Sequence, residues 1–310
     1  MTSAHAFAPG TVANLGPGLD ILGLALEGVG DEVRVSRSPA AGLTVEVLGA
    51  EEIPLDPTRN TAAIAAAEVR RRAGVEGEGL SIQIRKGLPL AGGQGGSAAS
   101  AAAAAVATDA LLRARLSRED LLEACLVAEE AVAGRHADNA AAALYGGVVL
   151  VRSLDPIDVL RLPYPRGLRI VLARPAQRLA TERARAALPA TLSREIALAQ
   201  AAQVGALVAA LAAGDFELLA RSVEDRIAEP SREPLLPGFA EAKRAALKAG
   251  ACGCSISGAG PSAFAFARDE ESGERIAEAM VKAYRAKGIE AQARVFAIDE
   301  SGARVIAKHD

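Results

Sequence analysis

Apolar and polar residues alternate at three places in the first third of the chain: Val33 and Val35, then Leu43, Val45 and Val47, then Leu80, Ile82 and Ile84. A period of two puts every second side chain on one face, so each stretch predicts a strand with one buried side. The bounded run Gly147–Arg152 predicts a further, more buried strand. Helices are expected between them. Residues 61–73 follow Asn60, whose side chain can cap free N–H groups, and stop at Gly74. Residues 118–133 follow Ser117, with Asp120 completing a capping-box pattern, and stop at Gly134.

The second half predicts a strand at 168–173 and helices at 193–213 and 215–228, the latter capped by Asp215 and ended by Pro230. A helix at 238–249 closes at Gly250. A strand at 262–267, a helix at 271–287 and strands at 291–298 and 303–307 complete the chain. Strands and helices alternate without the regularity of a doubly wound sheet. The pattern predicts two α+β domains, 1–155 and 156–310. No Pro/Gly/Ser-rich linker separates them, so they are expected to pack together.

Half of the 310 residues are apolar, but aromatics make up only 3% and there is no Trp. Alanine and leucine must fill the core, which calls for closely packed helices. The 19 uncharged residues Ile196–Gly214 are mostly alanine, with Gln200 and Gln203 among them, and read as a buried helix of a soluble protein, not a membrane span. A formal charge of −3 argues against nucleic acid as a partner. Cys125, Cys252 and Cys254 form neither a disulfide framework nor a zinc pattern, and fit small buried residues in a reducing cytoplasm. The N-terminus lacks the basic start and apolar stretch of a signal peptide.

The candidate chemistry begins in a glycine-rich loop. Residues 87–96 link a strand at 80–85 to an alanine-rich helix starting near Ser97. The sequence has neither the G-K-[ST] of a Walker A loop nor the G-x-G-x-x-G of a dinucleotide site. Still, a helix N-terminus offers free N–H groups and partial positive charge. Glycines 92, 93, 95 and 96 let those donors approach an anion closely. Ser97 can add a hydroxyl to a phosphate or to its Mg²⁺.

Two other glycine-rich stretches accompany it: APGTVANLGPGLDILGLAL at 8–26 and CSISGAGPSAFAF at 254–266. The loop between them reads P-x-x-G-G-x-G-G-S-A-A-S: Pro89, Leu90, Ala91, Gly92, Gly93, Gln94, Gly95, Gly96, Ser97, Ala98, Ala99, Ser100. Three such motifs in this order, spanning essentially the whole chain, resemble the GHMP kinase superfamily. GRHADNAAAALYGGVVLV at 134–151 is similar to the H-x-D-N-x-A-x-x-L-x-G-G signature of its homoserine kinase family. TERARAALP at 181–189 and EPSREPLLPG at 229–238 resemble that family's two downstream arginine segments.

The resemblance implies an α+β fold with an N-terminal ribosomal-protein-S5-domain-2-like domain and a ferredoxin-like C-terminal domain. It implies ATP and Mg²⁺ as cofactors, L-homoserine as substrate, and O-phospho-L-homoserine, on the route to threonine, as product. It places the loop on the ATP phosphates and Asn60 near the nucleoside, although Asn60 also reads simply as a helix cap. Asn14, Asp20, His136, Asp138, Asn139, Arg185 and Arg232 are implied to line the substrate pocket. The chemistry fits: an arginine fork suits a carboxylate, and amides and carboxylates suit an ammonium or hydroxyl.

Ser97 and a glutamate before the H-x-D-N stretch are implied to hold Mg²⁺. Glu129 and Glu130 adjoin there, and Glu130 is the choice. Asn139 stands where mevalonate kinase-like members carry an aspartate, so direct attack by the substrate hydroxyl without a carboxylate base is expected. Histidine-bound metal is not expected. Family members often form dimers, so a homodimer is the assembly the resemblance allows.

The loop departs from the family's usual G-L-G-S-S-A-A-S at Gln94 and Gly96. A lost hydroxyl contact to phosphate costs about 1.5–3 kcal/mol, so looser ATP binding is expected. Two other readings stay open from sequence: another small-molecule kinase of the superfamily, mevalonate- or sugar-type, and a catalytically silent binding protein on the same fold.

Overall fold

The computed structural model describes residues 1–49, 52–132 and 134–309. Two long strands open the chain, β1 (Ser3–Ala13) and β2 (Leu22–Ser38). Then come β3 (Leu43–Leu48), α1 (Thr61–Arg72) and β4 (Gly79–Arg85). Three helices follow, α2 (Gly96–Leu112), α3 (Arg118–Glu130) and α4 (Asp138–Tyr145). The antiparallel pair β5 (Val148–Leu154) and β6 (Ile157–Leu162) closes this part.

The second part runs β7 (Arg169–Pro175), α5 (Thr181–Ala186), α6 (Arg194–Ala213), α7 (Phe216–Ser222) and α8 (Ala228–Arg232). It continues with α9 (Phe239–Lys248), β8 (Cys254–Ile256), β9 (Ala263–Ala267), α10 (Glu270–Ala286), β10 (Ala291–Phe296) and β11 (Arg304–His309).

Seven strands form one sheet, ordered β11-β1-β2-β4-β3, with β5 on β2 and β6 on β5. Four form a second, β10-β7-β9-β8. α2 runs through the first core: every alanine from 98 to 105 is fully buried. Alanine's small side chain lets its helix approach β1, β2, α1 and α4 closely, which is how a core so poor in aromatics fills its volume. In the second part Phe239, Ile276, Met280 and Tyr284 from α9 and α10 pack on one side of the sheet.

A third cluster joins the two halves. Leu22, Leu24 and Val148 of the first sheet meet Phe264, Phe266 and Ile170 of the second, with Leu207 and Leu211 of α6. The expected contact between the halves is therefore a shared core. The expected division near residue 155 falls in the turn of the β5–β6 hairpin, and β6 stays in the first sheet. β11 also returns to that sheet, pairing with β1 antiparallel. The second sheet is thus an insertion between strands of the first.

The period-two strands and the capped helices appear where the pattern predicts them. Asn60 caps α1 by accepting from Ala62 and Ala63 N–H, and Ser117 and Asp120 form the capping box of α3. α3 ends at Glu130, and the expected end at residue 133 lies outside the described residues.

The helix expected at 215–228 is instead two helices. α7 stops at Ser222, and Asp225 then caps α8 by accepting from the N–H groups of Ile227, Ala228 and Glu229. Pro230 sits in the first turn of α8, where its missing N–H costs no intrahelical bond. It starts a helix rather than ending one. α6 also differs from expectation: it is not buried. Only Gln200, Leu207, Ala210 and Leu211 face the core, and Leu198 is 64% exposed. By length and composition α6 could cross a membrane, but here it lies along the second half with this narrow stripe inward.

Candidate active site

A cleft of about 510 Å³ lies between the two halves. The glycine loop lines it, with Asn14, Asp20, Asn60, Glu129, His136, Asp138, Asn139, Arg185 and Arg232. Ile53, Pro54 and Val132 give it an apolar stretch.

The loop is held by its carbonyls. Ser262 Oγ donates to Gly92 O and Ser257 Oγ to Gly93 O, each at 2.5 Å. Thr11 N–H donates to Gln94 O at 3.1 Å, and Lys86 Nζ to Gly96 O at 2.9 Å. In a planar trans peptide the next N–H points the opposite way. Tying these four oxygens to the protein turns the N–H groups of Gly93, Gln94, Gly95 and Ser97 away from it. Among the described residues, no N–H from Gly92 to Ser97 has a protein acceptor. Unpaired donors at the start of a 17-residue helix make a ready anion site.

Glycine is required at two of these positions. A Cβ on Gly93 would lie 2.7 Å from Ser257 O, and one on Gly95 would lie 1.9 Å from Thr11 Oγ1. Both residues have positive φ, +70° and +63°.

A buried ion pair supports the loop from below. Lys86 binds Asp31 and donates to Ser100 Oγ at 3.0 Å, while Asp31 also accepts from Gly87 and Leu88 N–H and from Ser100. All three ammonium protons are used, so Lys86 holds the frame of the loop and does not reach toward a ligand.

The polar end of the cleft is a charge network. Arg185 forks onto Asp20, Nη1 at 3.1 Å and Nη2 at 2.9 Å. Asp138 faces His136 Nδ1 at 3.1 Å and accepts from Asn139 N–H. Burial opposes charge on His136. The Asp138 hydrogen bond and the charges of Asp138, Glu129 and Asp20 together outweigh it, so the imidazole titrates above its ordinary value. Arg232 spends Nε on Ala184 O and Nη1 on Gly258 O. Burial lowers its pKa, yet a guanidinium stays charged at neutral pH.

Residues 60–147 match the GHMP kinases N terminal domain, and residues 207–286 match the GHMP kinases C terminal domain. The homoserine kinase of Arabidopsis thaliana is 44% identical, covering 98% of this chain and 85% of its own. That of Chlorobium phaeovibrioides is 41% identical over 99% of this chain and all of its own. The chain belongs to the homoserine kinase family of GHMP kinases. The crystal structure of homoserine kinase from Cytophaga hutchinsonii superposes with a TM-score of 0.93 at 41% identity, covering 99% of this chain and 98% of that one. The mevalonate kinase of L. major, at 20% identity and a TM-score of 0.69, shares the fold.

Every site residue that the family resemblance implied lines this cleft except Ala98 and Ala99, which are buried in α2, and Glu130. Glu130 is the correction. Its side chain is 60% exposed beside Arg135, whereas Glu129 is 2% exposed and faces the cleft. Adjacent helical residues point about 100° apart, so only one of the two can face inward.

Two other side chains are already engaged. Asn14 donates to Gly258 O at 3.0 Å and accepts from Asp20 N–H at 3.1 Å. Asn60 is occupied by its cap and by Pro54 O at 2.8 Å. Both shape the walls of the cleft. Asp20, His136 and Asp138 bring ligand atoms within 4.8 Å of one another, a metal-like grouping that sequence reasoning did not expect. The Arg185 fork already engages both Asp20 oxygens of this grouping.

Sequence reasoning missed Asp31, Lys86, Ser257 and Ser262. The serines lay in view within SISGAGPS, but their target, 164 and 170 residues away, is set only by the fold.

Proposed function

We propose that this protein transfers the γ-phosphoryl group of ATP to the side-chain hydroxyl of L-homoserine, giving O-phospho-L-homoserine and ADP on the route to threonine. The observation that carries this reading is the row of unpaired N–H groups from Gly92 to Ser97, facing a cleft whose other end carries two arginines and two carboxylates. Phosphoryl transfer is mainly positioning and charge stabilisation, and the loop supplies both. The apolar stretch at Ile53, Pro54 and Val132 suits an adenine face.

The donor set fits Mg²⁺. Glu129 is a fully buried carboxylate with Oε1 unpartnered, and its other contact is the Ser97 hydroxyl. Burial pushes its pKa up. Glu129 and Ser97 would hold the ion, which when bound neutralises charge on the transferring phosphate.

At the other end, Arg232, with Nη2 unengaged, takes the substrate carboxylate, helped by Arg185. Asp20 and Asp138 accept from the ammonium. Asn139 can donate to the reacting oxygens but cannot take a proton. The hydroxyl proton therefore passes to phosphate or water as the O–P bond forms. The three free, buried cysteines fit a reducing cytoplasm. A homodimer belongs to the same reading and is checked by light scattering.

An ADP-release assay with Mg·ATP tests the reading against L-homoserine, L-serine, L-threonine, mevalonate and galactose. Turnover strongly favouring L-homoserine is expected. Preference for another acceptor would void the pocket assignments while leaving the loop as the ATP site.

A further inference from the structure

Thr11 belongs to the first glycine-rich motif, yet nothing in the reaction above uses its side chain. It is fully buried on β1, and its hydroxyl donates to Asn139 Oδ1 at 2.7 Å. A Cβ on Gly95 would lie 1.9 Å from Thr11 Oγ1 and 2.7 Å from Asn139 Oδ1, so the phosphate loop packs directly on this pair. The Thr11 backbone N–H ties down Gln94 O in the same loop. One residue thus touches both the loop and the amide beside it.

A side-chain amide can be turned either way, and the two orientations have opposite chemistry. One presents two N–H donors, the other a lone-pair acceptor. Turning the amide would let Nδ2 donate to the Thr11 oxygen, but the Thr11 hydroxyl proton, now given to Asn139 Oδ1, would be left buried with no acceptor among the described residues, so Oδ1 is held toward Thr11. That leaves Nδ2 as the free end: among the described residues it has no protein acceptor, and Asn139 lines the cleft. The backbone N–H of Asn139 is held separately by Asp138, so the helix end stays fixed while the amide alone is selected.

We infer that Thr11 is a positioning residue which locks the Asn139 amide with its NH₂ toward the reacting oxygens. The inference rests on the phosphoryl-transfer reading for its consequence in rate. With the lock in place Asn139 stabilises negative charge developing on the transferred group. With the lock removed, the amide samples the flipped state, in which Oδ1 repels that charge.

Thr11→Val keeps the shape and removes the hydroxyl. Expected is a fall in kcat of roughly 10- to 100-fold with KM for ATP and homoserine changed by less than about 3-fold. Thr11→Ser should restore kcat to within about 3-fold of wild type. In an Asn139→Ala background, Thr11→Val should have no further effect. Wild-type kcat in Thr11→Val, or an equal loss with Asn139 already gone, would overturn the inference. A second readout does not need turnover or a folded valine variant. The Asn139 side-chain ¹⁵N–¹H pair, assigned by its loss in Asn139→Ala, should shift in ligand-free Thr11→Ala but stay near its wild-type position in Thr11→Ser. Unmoved signals in Thr11→Ala would sink the idea. If wild type turns over no homoserine, the functional reading fails, and these signals still decide the pairing.

Discussion

Glu129 and Glu130 are neighbours in the chain with opposite fates. Glu129 holds a buried, half-partnered carboxylate, and Glu130 extends into solvent beside Arg135. Glu129→Gln should cut activity by at least about 100-fold if the carboxylate holds the metal. It should also raise the thermal stability of the ligand-free protein at pH 8, by about 1–3 kcal/mol, because it replaces a buried carboxyl group that lacks a full set of partners. Calorimetry and the ADP assay on the same sample check both. Glu130→Gln should leave kcat within about 2-fold.

His136 gives a pH prediction at the same scale. Its folded-state pKa lies above the ordinary histidine value. Its contribution to stability is therefore fully present below pH 6.5, the unfolded value, and is lost as pH rises through the folded one. The stability gap between wild type and His136→Gln should be wider at pH 6 than at pH 8.5, as read from denaturant midpoints. A gap that widens with pH would mean the imidazole is held neutral.

The phosphate loop shows what one element owes to others. Four of its carbonyls are tied by groups from β1, from the end of β4 and from the turn between β8 and β9. Ser257→Ala with Ser262→Ala should free two of those peptides and raise KM for ATP about 10-fold, with a smaller change for homoserine. Gly96 is the loop's departure from the family pattern, and it has room for more. A Cβ there meets nothing closer than Lys86 Nζ at 3.4 Å. Gly96→Ser should fold normally and tighten ATP about 10-fold, the value of one added hydrogen bond to a charged group. Isothermal titration with Mg·ATP decides it.

At the scale of the whole molecule, the last strand belongs to the first sheet and the cluster of Leu22, Phe264 and Leu207 spans both halves. Each half has a buried cluster of its own, but the shared cluster packs directly between them and couples one to the other. Heat unfolding should therefore show a single cooperative transition. Deleting residues 304–310 should lower stability by several kcal/mol and destabilise both halves together, because it strips β1 of its edge partner and exposes Ala4 and Ala6. Two separate calorimetric transitions would show that the halves fold independently.

Much of this molecule is readable in the chain because much of it is local. Caps at Asn60 and Ser117, the period-two runs and the Gly-rich entry to α2 act over a few residues, and sequence spacing alone locates them. The three ordered motifs carried the family, and with it the cleft's polar residues. What sequence could not resolve depends on direction and distance in space. Which of two adjacent glutamates turns inward is a matter of helix rotation. The break between α7 and α8 is set by Asp225 finding three N–H groups to cap, and α6 is exposed because only a narrow stripe of it meets the core shared by the two halves. The serines at 257 and 262, the Lys86–Asp31 pair and the hold of Thr11 on Asn139 each join residues that the chain keeps far apart. A hydrogen bond needs its two atoms within about 3 Å, and only the packed fold sets distances that fine.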